Sequence, residues 1–406
     1  MRPAKRLAKL PPYPFARWAD HVEAALKSGL DVIRLDIGDP DLPPREAVVQ
    51  TLCRTAREPD RHGYPGYRGI PELRRAIASY YGERFHVDLD PDRQVVPLLG
   101  SKEGLINLAL AYLGPGDLAL VPDPGYAPYA RGAILAGAEV YTVPLPAERG
   151  FLPDLEGIST SVADSASILW LNYPNNPTGA TADLEFLSRA VAFARTHDVL
   201  LCHDAPYADV TYGDYRAPSL LQVPGAADVA VEFNSLSKMA NMAGWRVGMA
   251  VGSTEALAAL TQVKSNIDSG IFRPLQEAAI EALSTDPSWI SARNRVYEER
   301  LELLVDGLRS LGLEAESPEA TLYLWTAIPG GTNGGWTSES FARTLLHETG
   351  VAVAPGSFFG PGGEGFIRVS ATAPTSRVRE AAQRFRDFEP PGAAGAADPE
   401  NDPGAR

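Results

Sequence analysis

The chain contains the stretch Asn234-Ser-Leu-Ser-Lys238-Met-Ala-Asn-Met-Ala-Gly-Trp-Arg246-Val-Gly248. Its lysine follows two serines, Ser235 and Ser237, and precedes an arginine by eight residues. A lysine attacks an aldehyde only as the neutral amine, so a reactive lysine needs a fixed place and a lowered pKa. Short hydroxyls and a bidentate guanidinium are suited to binding a phosphate. Alone, Ser-x-Ser-Lys is a common string that also fits a turn with a solvated lysine, so its surroundings decide.

Upstream and downstream of this stretch, short apolar runs alternate with segments of helical length. Most of the runs are continuously apolar, which is typical of strands covered by helices on both faces. The pattern predicts an α/β fold with an open, mostly parallel, seven-stranded sheet. The predicted strands are Gln94–Leu99, Leu118–Val121, Glu139–Val143, Ile168–Asn172, Val199–His203, Val229–Phe233 and Val247–Val251. Helices are predicted between these strands at Glu103–Tyr112 and Asp183–His197, and after the last strand at Glu255–Lys264.

The organisation of the chain follows from this pattern. We predict an N-terminal arm over residues 1–45, a large domain over 46–284, a smaller α+β domain over 285–389 and a disordered tail over 390–406. In the arm we expect an extended segment at Leu10–Phe15, a helix ending at Lys27 and a strand from Asp31 to Ile37. The small domain should contain a connector helix from Pro287 to Gly312. After it we expect strands at Leu322–Thr326 and Phe366–Ser370, a glycine-rich loop at Pro329–Gly335, and helices at Ser338–Thr349 and from Thr375.

Polar residues follow five of the predicted strands, where ligands of open α/β sheets bind. Gly100-Ser-Lys-Glu-Gly104 opens a helix and suits a phosphate, although an ordinary helix cap explains it equally. Tyr126 follows the second strand and is either a packing residue or a platform for a flat ring. The segment Asn172-Tyr-Pro-Asn-Asn176-Pro-Thr-Gly179 reads as a tight turn or as part of a site. Together with Lys238, these strand ends carry the parts of a pyridoxal-phosphate site.

Asp204 closes the fifth strand in His203-Asp204-Ala-Pro-Tyr207. A carboxylate at the end of a buried strand is costly without a cationic partner, and a protonated pyridine nitrogen is one such partner. A zinc site at Cys202-His203-Asp204 is disfavoured because neighbouring strand residues face opposite ways, so we predict no metal.

Composition excludes several classes of protein. The net charge of −14 over 406 residues argues against a nucleic-acid partner. Two cysteines, Cys53 and Cys202, give no disulfide framework. No signal peptide or membrane-length apolar run is apparent, so we expect a cytoplasmic protein with no membrane partner.

Over residues 10–389 the chain resembles the class I/II aminotransferases of pyridoxal-phosphate fold type I, and within them most closely the LL-diaminopimelate aminotransferase branch. The motifs that carry the resemblance are the strand-end segments quoted above, together with Pro122-Asp-Pro-Gly-Tyr126, Asn241-Met-x-Gly-Trp-Arg246 and Lys264-Ser-Asn-Ile-Asp-Ser-Gly270. The resemblance implies a homodimer that uses pyridoxal 5'-phosphate.

The resemblance also implies roles for individual residues. Lys238 would form the Schiff base, Asp204 would pair with the pyridinium nitrogen, and Tyr207 and Asn176 would contact the ring's phenolate oxygen. Tyr126 would stack on the ring, and the phosphate would be held by Ser101, Lys102, Ser235, Ser237, Arg246 and Tyr64 of a neighbouring subunit. Arg368 would bind the substrate α-carboxylate, and Gly38, Asn176, Lys102 and Asn266 would complete the substrate site.

The implied reaction moves an amino group from LL-diaminopimelate to 2-oxoglutarate. Met239, Ala240 and Ala243 depart from the branch pattern, as does the order Ala127-Pro128, which leaves donors such as aspartate or alanine open. A β-lyase acting on sulfur amino acids is a further alternative. A cofactor-sensing regulator would need a DNA-binding domain, and residues 1–45 are too short and proline-rich to form one.

Overall fold

The computed structural model describes residues 4–331 and 335–388. Its strands are, in chain order, β1 (Ile33–Arg34), β2 (Val95–Leu98), β3 (Leu118–Asp123), β4 (Glu139–Pro144), β5 (Ala166–Asn172), β6 (Leu200–Asp204), β7 (Ala230–Ser235), β8 (Gly248–Gly252), β9 (Tyr323–Ala327), β10 (Val351–Ala352), β11 (Ala354–Pro355) and β12 (Phe366–Ser370). Its helices are α1 (Pro14–Lys27), α2 (Glu46–Thr55), α3 (Pro71–Phe85), α4 (Ser101–Tyr112), α5 (Pro128–Ala136), α6 (Thr160–Ala163), α7 (Leu184–His197), α8 (Ala226–Val229), α9 (Leu236–Met239), α10 (Thr254–Ser265), α11 (Arg273–Leu283), α12 (Pro287–Ser310), α13 (Ser338–Thr349) and α14 (Thr375–Arg386).

Seven strands form one large sheet in the order β2-β8-β7-β6-β5-β3-β4. All neighbours pair in parallel except β2 with β8 and β8 with β7. Only β8 therefore runs against the other six strands. The predicted α/β fold with a mostly parallel seven-stranded sheet is confirmed.

Side chains of the large sheet alternate between two apolar cores, one on each face. In β5, Ile168 and Trp170 join one core, and Leu169 and Leu171 join the other. Because successive strand residues point to opposite faces, a strand covered on both sides must be apolar throughout. This requirement explains why the strands read as continuous apolar runs.

A second, smaller assembly of strands lies beside the large sheet. Strands β11, β12 and β9 pair antiparallel, and β1 of the N-terminal arm pairs in parallel with β10. Trp18 and Leu35 of the arm are buried in the same apolar core as residues of α12, α13 and α14. The arm is also tied to α12 by an ion pair of Asp41 with Arg300, at 2.6 Å. The domain boundaries drawn from the sequence stay predictions.

Two sequence expectations for the arm are wrong. The strand predicted over Asp31–Ile37 shrinks to Ile33–Arg34, because its partner β10 offers only two residues for pairing. The segment predicted to be extended as far as Phe15 instead enters α1 at Pro14, where a proline fits the first helical turn. Part of the predicted Pro329–Gly335 loop and the predicted tail at 390–406 lie outside the described residues.

Two further properties bear on function. In the described ranges, no helix is long and apolar enough to cross a membrane. Within those same ranges, no group of three or more His, Cys, Asp or Glu side chains is arranged to hold a metal ion.

Candidate active site

A cavity of about 400 Å³ lies where the carboxyl ends of the large sheet meet the small assembly and the arm. Asn172, Asp204 and Ser235 are the last residues of β5, β6 and β7, and all three line it. The parallel pairing of these strands brings their ends together at one edge of the sheet. The other predicted site residues that line the cavity are Gly38, Ser101, Lys102, Tyr126, Asn176, Tyr207, Ser237, Lys238, Arg246 and Arg368.

Lys238 is carried by α9, a four-residue helix that follows β7 directly. Ser235 caps this helix, because its hydroxyl accepts a hydrogen bond from the Ser237 backbone N–H at 3.2 Å. The Lys238 Nζ donates to the backbone carbonyl of Gly38. Burial lowers the pKa of Lys238, and the nearby Arg368 and Arg246 act in the same direction while Tyr323 and Asp39 oppose them. The site therefore favours the neutral amine that a nucleophile or base requires.

Asp204 is buried with only one of its carboxylate oxygens satisfied. Its Oδ2 accepts a hydrogen bond from the Tyr129 hydroxyl at 2.8 Å, whereas its buried Oδ1 has no partner in the described chain. Asn172 holds the backbone here by donating to the Asp204 carbonyl at 2.6 Å. Burial raises the pKa of Asp204 to about 6, against the lowering effect of the Tyr129 hydrogen bond. A positively charged N–H facing Oδ1 would satisfy this oxygen and favour the carboxylate.

Hydroxyls, a helix start and a guanidinium converge on one end of the cavity. Ser101 begins α4, and Gly100 before it has a φ of 79°, a conformation that favours glycine. A side chain at Gly100 would also overlap the Arg246 guanidinium. Arg246 donates to the Ser237 hydroxyl at 3.4 Å, and Ser237 accepts from the Ser235 hydroxyl at 2.9 Å. This end of the cavity is equipped to bind an anion such as a phosphate.

Arg368 projects from β12 into the other end of the cavity and is only 3% exposed. Its guanidinium donates to Asn176 Oδ1 and to the Asp36 carbonyl, both at 2.7 Å, and its buried Nε has no described partner. The rings of Tyr323 and Phe359 lie 4.2 and 4.7 Å from the guanidinium carbon. Within the described residues this guanidinium is held by a side-chain oxygen, a carbonyl and aromatic rings and has no carboxylate partner, so it is suited to binding a carboxylate ligand.

Two tyrosines that line the cavity, Tyr323 and Tyr129, were not predicted from the sequence. Both contact residues that were predicted. Tyr207 hydrogen-bonds through its hydroxyl to the Tyr323 hydroxyl at 2.7 Å. Tyr323 was missed because it opens a strand of the small sheet, and nothing in the local sequence marks it. Tyr129 was also missed, although it lies three residues after Tyr126 and the two rings pack edge to face at 5.8 Å. A spacing of three residues, nearly one helical turn, after a strand-end aromatic was the signal that could have found it.

Two predicted site residues lie away from the cavity in the single chain. Tyr64 is 91% exposed on a loop before α3. Asn266 is exposed at the end of α10, where its side chain donates to the Gln262 carbonyl at 2.8 Å. Neither residue lines the cavity of the single chain.

A larger cavity of about 990 Å³ lies behind α9, between α3 and the start of α12. Its lining shares none of the predicted site residues. Size therefore does not identify the site here; the convergence of titratable groups at the strand ends does.

Comparison with known proteins identifies close relatives. Residues 30–385 match the family model described as aminotransferase class I and II. The chain is 47% identical over 386 residues to the LL-diaminopimelate aminotransferase of Moorella thermoacetica, covering 95% of this chain and 98% of that protein. It is 48% identical over 384 residues to the enzyme of the same name from Syntrophobacter fumaroxidans, covering 94% and 98%. The substrate-bound structure of BacF from Bacillus subtilis superposes with a TM-score of 0.90 at 37% identity, covering 95% of this chain and 98% of that one.

Proposed function

The chain belongs to the class I and II aminotransferases, and we propose that it transfers an amino group from LL-diaminopimelate to 2-oxoglutarate with pyridoxal 5'-phosphate as cofactor. The single observation that carries the proposal is the convergence of Lys238, Asp204 and Arg368 on one cavity. The donor is taken from the names of the relatives that are 44–48% identical. LL-diaminopimelate has an amino-carboxylate at each end, which agrees with a cavity lined by more cations than carboxylates.

The residues present fit the proposed cofactor on three counts. The unpartnered Asp204 Oδ1 suits a pyridinium N–H, and the raised pKa of this carboxyl is what a missing cationic partner would leave. The Ser101, Ser235, Ser237 and Arg246 groups suit its phosphate. Tyr126, which lines the cavity, suits its ring face. Lys102 is the further predicted contact, through its backbone.

When bound, pyridoxal phosphate supplies an electron sink that makes the α-proton of an amino acid removable. Lys238, as a neutral amine, is the base that moves this proton, and burial lowers its pKa in the direction that this role needs. Arg368 binds the donor α-carboxylate in a bidentate manner and so orients the bond that breaks. Tyr207 and Asn176 would hold the ring hydroxyl, and Asp204 would pair with the protonated ring nitrogen.

We further propose that two copies form a homodimer with shared sites. Tyr64 is almost fully exposed, as a residue that serves a neighbouring copy would be. Asn266 is a second candidate to reach the partner's substrate from its exposed position at the end of α10.

The test is a donor series on the purified, cofactor-loaded enzyme, with and without 2-oxoglutarate. We expect LL-diaminopimelate to have the highest kcat/KM and to give sustained turnover only with the acceptor present. Sustained keto-acid release without an acceptor would indicate a β-lyase. A higher kcat/KM for aspartate or alanine would overturn the donor assignment while leaving the aminotransferase family intact.

A further inference from the structure

The mouth of the cavity has a positive charge that the proposed roles do not use. Its lining contains one carboxylate, Asp204, and four basic side chains, Lys102, Lys238, Arg246 and Arg368. Lys238 is proposed to act as a neutral amine in proton transfer, and the cations Arg246 and Arg368 are proposed to bind the phosphate and the α-carboxylate. Lys102 is proposed to contact the phosphate through its backbone, and its side chain is exposed, which places it at the mouth of the cavity.

A second cation, Arg131 of α5, lies beside that ammonium group. The Lys102 Nζ is 5.0 Å from the centre of the Tyr13 ring, and the Arg131 guanidinium carbon is 4.9 Å from the same centre. Throughout residues 4–331 and 335–388, neither cation forms an ion pair with a carboxylate. Burial lowers the pKa of Lys102, and the charges of Arg131 and Arg246 lower it further. Two neighbouring cations without a counter-ion are an unfavourable arrangement that a bound anion would relieve.

Aromatic rings of the arm link this pair of cations to the Arg368 clamp. Tyr13, which contacts Lys102 and Arg131, lies 5.7 Å from Phe15, centre to centre. Phe15 in turn has the Arg368 guanidinium 5.7 Å from its ring centre. Tyr13 and Phe15 both line the cavity. The lining of the cavity thus includes the Arg368 guanidinium and the Lys102 ammonium group, with the Tyr13 and Phe15 rings between them. Arg131 lies against the Tyr13 ring, next to this lining.

We propose that Arg131 is a specificity-determining residue that, together with Lys102, binds the carboxylate at the far end of the amino donor. This inference rests on the proposed aminotransferase function and specifies its substrate class as amino acids with an anionic far end. An ion pair at the mouth of the cavity is partly solvated, so its effect should be moderate and should appear mainly in KM.

A purely structural role for Arg131 makes a different prediction. Its guanidinium donates to the Pro12 carbonyl at 3.0 Å and so fastens the arm. If fastening the arm were its whole contribution, removing it would loosen the wall of the cavity for every donor alike. A donor pair that differs only in the far-end group therefore separates the two roles.

The experiment compares the cofactor-loaded wild type with Arg131→Ala and Arg131→Lys. Arg189→Ala is the matched control, since Arg189 is a solvent-exposed arginine of α7 paired with Glu185. The donors are L-2-aminoadipate and L-norleucine, which have the same chain length and end in a carboxylate and a methyl group, together with LL-diaminopimelate. For Arg131→Ala we expect kcat/KM to fall about tenfold with both acidic donors and to stay unchanged with norleucine. Arg131→Lys should retain part of the acidic preference, and the control should change nothing.

Binding without turnover gives a second readout. Calorimetry on the loaded enzyme should show pimelate binding weakened in Arg131→Ala, with heptanoate, the monocarboxylate of the same length, unaffected. The role of Arg131 would be overturned if Arg131→Ala lowered kcat/KM equally for aminoadipate and norleucine, or binding equally for pimelate and heptanoate. It would also be overturned if kcat/KM for aminoadipate or binding of pimelate did not fall. A wild type that prefers another acidic donor would instead refute LL-diaminopimelate as substrate while leaving the Arg131 selectivity measurable.

Discussion

Asp204 combines burial, a raised pKa and an unsatisfied oxygen in one side chain. In the cofactor-free protein the carboxylate is therefore a destabilising group. Its pKa moves from an ordinary 3.8 to about 6, so between these values the folded chain binds more protons than the unfolded chain. Proton binding by Asp204 therefore stabilises the folded state at low pH, and this stabilisation is lost as the pH rises through about 6.

The consequence is a stability gain on removing this charge. At about pH 8, cofactor-free Asp204→Asn should unfold with a free energy up to about 3 kcal/mol higher than the wild type, and the gain should vanish below about pH 4. Urea titrations of both proteins across this range provide the measurement. The loaded variant should lose at least about 100-fold in kcat, since the ring nitrogen loses its counter-ion. Equal free energies of unfolding for the two cofactor-free proteins at about pH 8 would show that the buried Asp204 carboxylate does not destabilise the fold.

At the scale of secondary-structure elements, α12 holds the helix that carries Lys238. Arg293 of α12 is buried and donates to the carbonyls of Lys238 at 2.8 Å and Asp209 at 2.6 Å, and also to that of Met239. Asp209 lies two residues after Tyr207. One guanidinium therefore fastens both the lysine helix and the loop after β6 to the long connector helix.

Arg293→Lys keeps the charge but cannot span the three carbonyls with one nitrogen. We expect the free energy of unfolding to fall by about 1–3 kcal/mol, because buried carbonyls lose their donors. We also expect kcat to fall more than KM rises, because the position of Lys238 is loosened rather than the substrate contacts. Arg295→Lys, an exposed position on the same helix, is the control. If the Arg293 variant behaved like this control, α12 would not be needed to position Lys238.

The elements also show what the sequence could and could not predict. Six of the seven large-sheet strands were predictable because burial on both faces requires an unbroken apolar run, as in β5, whereas the edge strand β4 is largely exposed. Helices α3 and α5 were not predicted: each begins at a proline and follows a turn-rich segment, so the start resembles loop. Strand-end reasoning located Asp204 and Lys238, because parallel strands bring their ends to one edge. It could not locate Tyr323, whose place in the site depends on how the small sheet packs.

At the scale of the whole molecule, the loop that carries Tyr64 is exposed yet braced. Gln276 accepts a hydrogen bond from the Ile70 backbone at 2.7 Å and donates to the Ile271 carbonyl at 2.6 Å. A side chain at Gly270 would overlap the Gly66 carbonyl, so the two loops pack closely. Tyr67, Phe272 and Ile267 add exposed apolar surface to this region. A rigid, apolar, exposed loop is what an interface between copies requires.

Shared sites predict complementation between two defective chains. Tyr64→Phe and Lys238→Ala should each have low activity, and mixing them under conditions that exchange subunits should restore activity. The restored site would combine Lys238 of one chain with Tyr64 of the other. Sedimentation should show a dimer for each protein. An active monomer, or a mixture no better than its parts, would contradict the shared site.

Lys238 is the residue through which, we propose, this aminotransferase holds its cofactor and moves the proton. The most direct measurement is borohydride reduction of the loaded protein followed by peptide mass spectrometry, with Lys238→Ala treated in parallel. We predict that the reduced cofactor maps to the peptide containing Lys238 in the wild type and to no peptide in the variant, and that the variant does not turn over. A cofactor adduct on another lysine, or a Lys238→Ala enzyme with wild-type activity, would contradict the account.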